Sequence, residues 1–253
     1  MSFNEKLKGI PIKEVLIVII LAYFVIFPLK FLNIGGGVEL TNLIIILYFI
    51  FKLRNYTSEF LAEISDIFSK ISFKHILFIV LANICFSYGM LYLSNLIIHV
   101  IPPNSFLSFF IPVKSIYLGF FGILSFISII LVSPIAEELI FRGIFLNKLM
   151  LVVPTAFAIL ISSLLFASLH SFGSIFSAFI FAVCMAILYL KSENIFVPII
   201  GHFLNNFIGE SVYHIDQAKV LFTNSIVMVA MSILAIVSFI FILIFINSSM
   251  KNI

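Results

Sequence analysis

Long apolar segments alternate with short polar ones along almost the whole chain. The hydrocarbon core of a bilayer is about 30 Å thick, and a helix needs about 20 mostly apolar residues to cross it. Counted against that length, the sequence predicts eight transmembrane helices, at approximately 12–30, 38–54, 75–100, 116–147, 154–171, 174–190, 195–210 and 220–247. We therefore expect an all-α polytopic membrane helical bundle that forms a single domain over residues 1–253.

The amino-acid composition supports a membrane protein and excludes several functional classes. Of the 253 residues, 63% are hydrophobic and 10% are charged, whereas a soluble domain is about half apolar and about a quarter charged. The net charge is only +3 and the lysines are scattered, so nucleic acid is not an expected partner. Cys85 and Cys184 lie far apart in apolar segments, which supports neither a disulfide framework nor a thiolate metal site. The lipid bilayer is the partner that this composition requires.

The distribution of Lys and Arg predicts the orientation of the bundle, because these residues accumulate in cytoplasmic loops. An even number of spans places both termini on one side of the membrane. Of the 14 basic residues, those that fall on the other side are Lys30, Lys114 and Lys219. Both termini are therefore expected in the cytoplasm. The compact chain without a targeting extension favours a multi-pass protein of a prokaryotic plasma membrane.

Residues 55–73, between the second and third predicted spans, have an amphipathic pattern. The apolar side chains fall on one helical stripe, with the charged ones off it. The stripe consists of Phe60, Leu61, Ile64, Ile67, Phe68 and Ile71. This pattern predicts a helix that lies in the cytoplasmic membrane interface. A cytoplasmic helix packed on the bundle is the alternative.

Ionisable side chains inside membrane segments are costly and often mark functional sites. Three stretches of the apolar segments carry such groups or their polar neighbours. They hold Glu137, Glu138 and Arg142 in the fourth span, His170 at the end of the fifth, and His202 and Asn206 in the seventh. These three stretches contain the candidate chemistry of the chain, and residues 116–210 form its expected catalytic core.

The spacing of these residues suggests different roles for the two glutamates, which point about 100° apart on a helix. Glu138 and Arg142 are four residues apart and can pair on one helix face, which leaves Glu137 without a local partner. Reflection through a turn near residue 152 places Glu137 at a depth similar to that of His170. A structural ion pair and interhelical hydrogen bonds are the alternative explanations of these polar groups.

His202 and Asn206 are also four residues apart and therefore share one face of the seventh helix. The complete set of patterns is Glu137-Glu138-x-x-x-Arg142, Phe166-x-x-x-His170 and His202-x-x-x-Asn206, in this order on three apolar segments. The set resembles the CPBP family of intramembrane proteases. That family includes the type II CAAX prenyl endopeptidases, also called Ras-converting endopeptidases, and bacterial bacteriocin-processing or immunity proteins.

The resemblance implies an intramembrane endopeptidase that hydrolyses a peptide bond in a membrane-associated peptide. The substrate would be a prenylated CAAX C-terminus or a small hydrophobic precursor such as a bacteriocin peptide. Carried over to this sequence, Glu137 would be the general base for a water and His170 would help to hold it. His202 and Asn206 would stabilise the oxyanion, and Glu138 with Arg142 would shape the site.

Metal dependence separates two versions of this mechanism. Two histidines and a glutamate can hold Zn²⁺ and leave a position for water, so the metal version would use Glu137, His170 and His202. Asn206 is a poor zinc ligand, which favours a glutamate mechanism without a cofactor. The motifs HExxH, GxSG and GxGD of other intramembrane proteases do not occur in the sequence.

Two other functions are compatible with the same sequence. The chain could be a non-catalytic immunity or regulatory protein that binds another membrane protein. A transporter is the third hypothesis, but the intramembrane charges cluster in one half of the chain with no matching set in the other.

Overall fold

The computed structural model describes residues 2–31, 36–100, 120–170, 174–215 and 224–251, and these are helical with no β-strand among them. We number the helices α1 to α10 in chain order. They are α1 (Phe3–Gly9), α2 (Ile12–Phe31), α3 (Gly37–Leu53), α4 (Thr57–Ser65), α5 (Phe73–Val100), α6 (Phe120 to Leu149), α7 (Thr155–Ala167), α8 (Ile175–Ser192), α9 (Phe196–Ile215) and α10 (Ser225–Met250). The expected all-α class is confirmed.

Each of the eight predicted spans coincides with a helix, although residues 116–119, 171 and 220–223 of those spans lie outside the described residues. Within the described part, four helices are long and apolar enough to cross a membrane, and a fifth span is obtained if α1 and α2 count as one bent pair. Helix α7 is apolar but shorter. The chain is therefore a multi-pass membrane protein, whereas the count of eight crossings and the orientation of the termini stay predictions.

Helix α6 contains two wide π-helical segments, Ser128–Val132 and Leu139–Leu146, on either side of an ordinary helical segment. In the first segment the N–H of Ser133 donates to the carbonyl of Ser128, five residues earlier. Pro134 follows directly and has no N–H to offer the preceding turn. Such π turns are rare and occur often at functional sites. Here they flank the two adjacent glutamates.

Helix α8 occupies the centre of the bundle, where it packs against α5, α7, α9 and α10. A close approach to α9 occurs at Gly201, where a Cβ atom would lie 2.8 Å from Met185 Sδ. Another occurs between α5 and α10 at Gly89, where a Cβ atom would lie 2.2 Å from the Cβ of Ala235. Small residues let membrane helices approach each other in this way.

The short helix α1 was not predicted, and it is anchored in the bundle. Leu7 is fully buried against Gly143 of α6. Asn4 accepts a hydrogen bond from the Tyr189 hydroxyl through Oδ1, at 2.9 Å. Lys148 donates to the backbone carbonyl of Lys8, at 2.7 Å. The N-terminal segment is thus tied to the end of the helix that carries the two glutamates.

The amphipathic segment 55–73 is helical over a shorter range than predicted, since α4 ends at Ser65 and turns follow. The Ser65 hydroxyl bonds to the carbonyl of Ala62, a local contact that competes with helix continuation. Phe60 packs edge-on against Phe3 and Phe196, while Leu61 is exposed. The apolar stripe is therefore split between the bundle and the surface, and its place in the membrane interface stays a prediction.

Candidate active site

Glu138 is the centre of a buried ionic cluster. Its Oε1 accepts hydrogen bonds from Arg142 Nη1 and from His202 Nδ1, each at 2.8 Å. Glu138 is fully buried, and Arg142 and His202 are 1% and 3% exposed. The guanidinium also donates to the carbonyl of Ala182 in α8, at 3.0 Å. The predicted contact between Glu138 and Arg142 is therefore present. The cluster as a whole joins α6, which carries both residues, to α8 and α9.

Glu137 is the less buried of the two glutamates, with 24% of its side chain exposed. Its Oε2 lies 3.9 Å from Nε2 of His202, too far for a direct hydrogen bond. His202 thus faces both glutamates, one through each ring nitrogen. Glu137 has no closer ion-pair partner among the described residues, in keeping with the expectation that it lacks a local one.

Phe166 is the side chain that joins the three motifs sterically. The Arg142 guanidinium carbon lies 4.8 Å from the centre of its ring. The rings of His170 and His202 have their centres 4.8 Å and 5.8 Å from that of Phe166. Phe166 is 1% exposed, so this contact is sealed from solvent. The phenylalanine of the second motif therefore orients the charged and imidazole groups around it.

His170 lies in the turn after α7, where its Nδ1 is 3.1 Å from the carbonyl oxygen of Phe166. A carbonyl can only accept, so Nδ1 carries the proton in this bond. The neutral ring then has Nε2 as an acceptor. Among the described side chains, His202 and not His170 is within 4 Å of Glu137. The sequence predicted a similar depth for Glu137 and His170. It did not predict that His202 would lie nearer to Glu137 than His170 does.

Asn206 is held in place by α6. Its Nδ2 donates to the carbonyl of Ile129 in the first π segment, at 2.9 Å. Its Oδ1 accepts from Nδ2 of Asn205, at 3.3 Å. Since an amide group carries two N–H donors, one remains after the bond to Ile129. The second N–H is the part of Asn206 that can act on a ligand.

A cavity of about 130 Å³ opens beside these groups. Its lining includes four residues of the motifs, namely Phe166, His170, His202 and Asn206. Polar residues of α5 and α8 line it as well, together with apolar ones. Asn83 and Ser87 of α5 were not predicted as site residues, although two polar residues four positions apart in an apolar segment are a detectable signal.

The described residues include no group of three or more His, Cys, Asp and Glu side chains that could hold a metal ion. The residues that the metal version would use, Glu137, His170 and His202, are therefore not gathered into such a group in this structure. The sequence prediction of a mechanism without a cofactor remains a prediction.

Comparison with known proteins identifies a family over part of the chain. No curated protein and no solved structure was found to match the sequence. Residues 119–208 match the model of the family described as type II CAAX prenyl endopeptidase Rce1-like. This segment contains all three motifs and most of the expected catalytic core at 116–210. The match confirms the resemblance that the motifs suggested, and the similarity of residues 119–208 to this family implies a protease.

Proposed function

We propose that this protein is a glutamate-dependent intramembrane endopeptidase that cleaves a lipidated or hydrophobic peptide at the membrane. One observation carries the proposal beyond the family match. His202 connects the two glutamates, with Nδ1 bonded to Glu138 and Nε2 at 3.9 Å from Glu137. A purely structural Glu138 and Arg142 pair would need neither the histidine nor the second carboxylate.

The proposed mechanism uses His202 as a donor through both ring nitrogens, beside the two glutamates and Arg142. Buried ions persist in proteins when they are paired and hydrogen-bonded, as Glu138 and Arg142 are here. Because Nδ1 of His202 donates to Glu138, the imidazolium presents its remaining N–H at Nε2. His202 then acts as a donor towards the reacting groups.

The reaction begins with a water held between Glu137 and Nε2 of His170. The Glu137 carboxylate takes one proton from this water while the water oxygen attacks the carbonyl carbon of the scissile peptide bond. The π electrons of the carbonyl move onto its oxygen and form an oxyanion. When the tetrahedral intermediate collapses, the C–N bond breaks and the leaving nitrogen takes the proton from Glu137. Glu137 returns to its carboxylate form.

The oxyanion is stabilised by the Nε2–H of His202 and the second N–H of Asn206. Both residues line the cavity, and both are fixed by other bonds, His202 to Glu138 and Asn206 to Ile129. Donors that are positioned in advance lose little free energy to reorganisation during the reaction. Glu138 and Arg142 act through His202, so we assign them as positioning residues.

The proposed substrate is a peptide held near the membrane by a prenyl group or by its own apolar side chains. Large apolar side chains are exposed along the outer helices, for example Phe24, Leu47 and Ile244. These surfaces suit contact with lipid. The family match favours a prenylated CAAX C-terminus. A small hydrophobic precursor peptide is the other candidate substrate.

The proposed function is tested by cleavage of a quenched farnesylated CAAX peptide and of an unprenylated hydrophobic peptide by detergent-purified protein. We expect wild type to cleave at least one of them, and Glu137→Ala and His170→Ala to lose activity by about a hundredfold or more. A chelator should leave the wild-type rate unchanged. Activity that survives Glu137→Ala would contradict the glutamate mechanism, and loss with the chelator would favour the metal version. A wild-type protein that cleaves neither peptide would favour the non-catalytic alternative.

A further inference from the structure

We propose that Asn83 of α5 is a substrate-binding residue that accepts a hydrogen bond from a backbone N–H of the bound peptide. This inference rests on the proposed function, and it adds to the site a residue from outside the matched segment 119–208. Asn83 is 2% exposed and lines the same cavity as His202 and Asn206.

The orientation of the Asn83 amide is set by its own helix. Its Nδ2 donates to the carbonyl of Ile79, one turn earlier, at 2.9 Å. The nitrogen therefore faces the backbone of α5, and Oδ1 takes the other position of the amide plane. This Oδ1 is buried and has no hydrogen-bond partner among the described residues. A buried acceptor without a partner is unfavourable, so a partner from the cavity is favoured.

Polar groups of α5 and α8 next to Asn83 present further hydrogen-bond acceptors to the cavity. We call Asn83, Ser87 and Ser177 the acceptor wall. The Ser87 hydroxyl donates to Oγ of Ser177, at 3.3 Å, and the Ser177 hydroxyl donates to the carbonyl of Ser174, at 3.0 Å. Both serine protons are used inside the wall, so the Ser87 oxygen retains acceptor capacity towards the cavity. Asn83 and Ser87 lie four residues apart, on one face of α5.

A peptide group has the complementary arrangement. The proposed oxyanion donors, His202 and Asn206, are contributed to the cavity by α9, while the acceptor wall formed by Asn83, Ser87 and Ser177 is contributed by α5 and α8. Within one trans peptide group, the C=O and N–H bonds point in opposite directions. A peptide in the cavity can therefore direct a carbonyl towards Asn206 and an N–H towards Asn83. This arrangement also explains why a polar wall occurs deep in an apolar helix.

Ester substitution in the substrate tests this contact directly. A series of farnesylated CAAX peptides, each with one backbone N–H replaced by an ester oxygen, is cleaved by wild type and by Asn83→Ala. For one position we expect wild type to lose about tenfold in kcat/KM, the effect of one buried hydrogen bond. At that position Asn83→Ala should lose less than twofold, because its acceptor is already absent. Ser87→Ala, run in parallel, should reduce the same ester effect by a smaller factor.

The control is Ser163→Ala. Ser163 Oγ in α7 is also buried without a partner among the described residues, but Ser163 does not line the cavity. Ser163→Ala should lose the same factor in kcat/KM as wild type at each ester position. Equal ester effects in wild type and Asn83→Ala would overturn the assignment of Asn83 and leave the proposed function intact. Should Asn83→Ala fail to fold, Asn83→Leu, which keeps the approximate size of the side chain and removes the acceptor, is judged by the same outcome. A wild-type protein that cleaves none of the parent peptides contradicts the proposed function, and this inference falls with it.

Discussion

Helices α8 and α10 are both apolar and have opposite surroundings. Over a window of 18 residues, 72% of α8 is buried inside the protein, whereas the share in α10 is 17%. Yet α10 is the more apolar of the two. Lipid solvates apolar side chains as well as a protein interior does, so hydrophobicity does not draw a membrane helix inwards. Position in this bundle follows instead from polar and small residues.

The two helices are also held in different ways. Helix α8 receives the Arg142 guanidinium at the carbonyl of Ala182, and its Tyr189 hydroxyl accepts from Asn147 and donates to Asn4. Helix α10 is held mainly by close packing, as at Gly89 of α5, with a hydrogen bond from Lys191 of α8 to Oγ of Ser249 at 3.1 Å. The inner region is thus fixed by a network of directional bonds, which suits a site that needs precise geometry, and the outer region mainly by steric fit.

The largest expected effect is in the inner region. Arg142→Met removes the guanidinium from Glu138 and leaves a buried carboxylate with the histidine alone. We expect a loss of about 3–5 kcal/mol in the free energy of unfolding, measured by denaturant titration in detergent. The matched control is Lys52→Met, which breaks the half-exposed pair of Lys52 and Glu14. That change should cost less than about 1 kcal/mol. Equal costs for the two variants would contradict the distinction between an ionic interior and a weakly coupled surface.

The next effect separates catalysis from packing within the inner region. Asn206→Ala should lower kcat by about 10²–10³-fold, the usual loss for one oxyanion donor. Asn42→Ala is its control, because the Asn42 amide likewise donates to α6, at Oγ of Ser133. It should change the unfolding midpoint while kcat stays within about threefold of wild type. A similar loss of kcat in both variants would assign Asn206 a structural role.

The third prediction tests steric fit in the outer region. Gly89→Ala places a Cβ atom 2.2 Å from the Cβ of Ala235 and 2.5 Å from the carbonyl oxygen of Met231, so the helices must separate. We expect a destabilisation of about 1–3 kcal/mol. Gly209→Ala in α9 has no atom within 4 Å of its added Cβ and should be neutral or stabilising. Thermal unfolding of both variants measures the difference, and a tolerated Gly89→Ala would refute close packing as the restraint on α10.

The smallest effect concerns a surface pair outside the predicted spans. Hydrogen bonding to Lys70 holds the pKa of Glu193 below its ordinary value. A carboxylate with a lowered folded-state pKa stabilises the fold above its unfolded pKa, and this contribution is lost as the pH falls through the folded value. Both side chains are largely exposed, so Lys70→Gln should cost less than about 1 kcal/mol at pH 7. The difference from wild type should shrink as the pH falls below about 4, and a difference that grows on acidification would be inconsistent with this pair.

The sequence predicted the features that depend on local spacing. The apolar segments matched helices, and Glu138 and Arg142 formed the contact that their four-residue separation implied. The bond from His202 to Glu138 could not be predicted, because the two residues are 64 positions apart and meet only through helix packing. The π segments of α6 were also missed, since an apolar pattern alone does not distinguish five-residue from four-residue hydrogen bonding.

Other omissions have a compositional cause. Asn4 is buried, but an isolated asparagine in a chain rich in this residue carries no strong signal. The shortening of α4 to Thr57–Ser65 reflects local competition by Ser65, which the amphipathic pattern does not register. The roles of Glu137, His170, His202 and Asn206 in catalysis rest on the motif resemblance and on this geometry, and they stay predictions.

The central claim is that Glu137 activates the water that cleaves a membrane-associated peptide. Its most direct test is mass spectrometry of a farnesylated CAAX peptide incubated in liposomes with wild type or with Glu137→Gln, which preserves the size of the side chain and removes its charge. We predict a single new pair of fragments with wild type, none with Glu137→Gln, and an unfolding midpoint that is the same for both proteins. The same fragments at a comparable rate from Glu137→Gln would contradict the account.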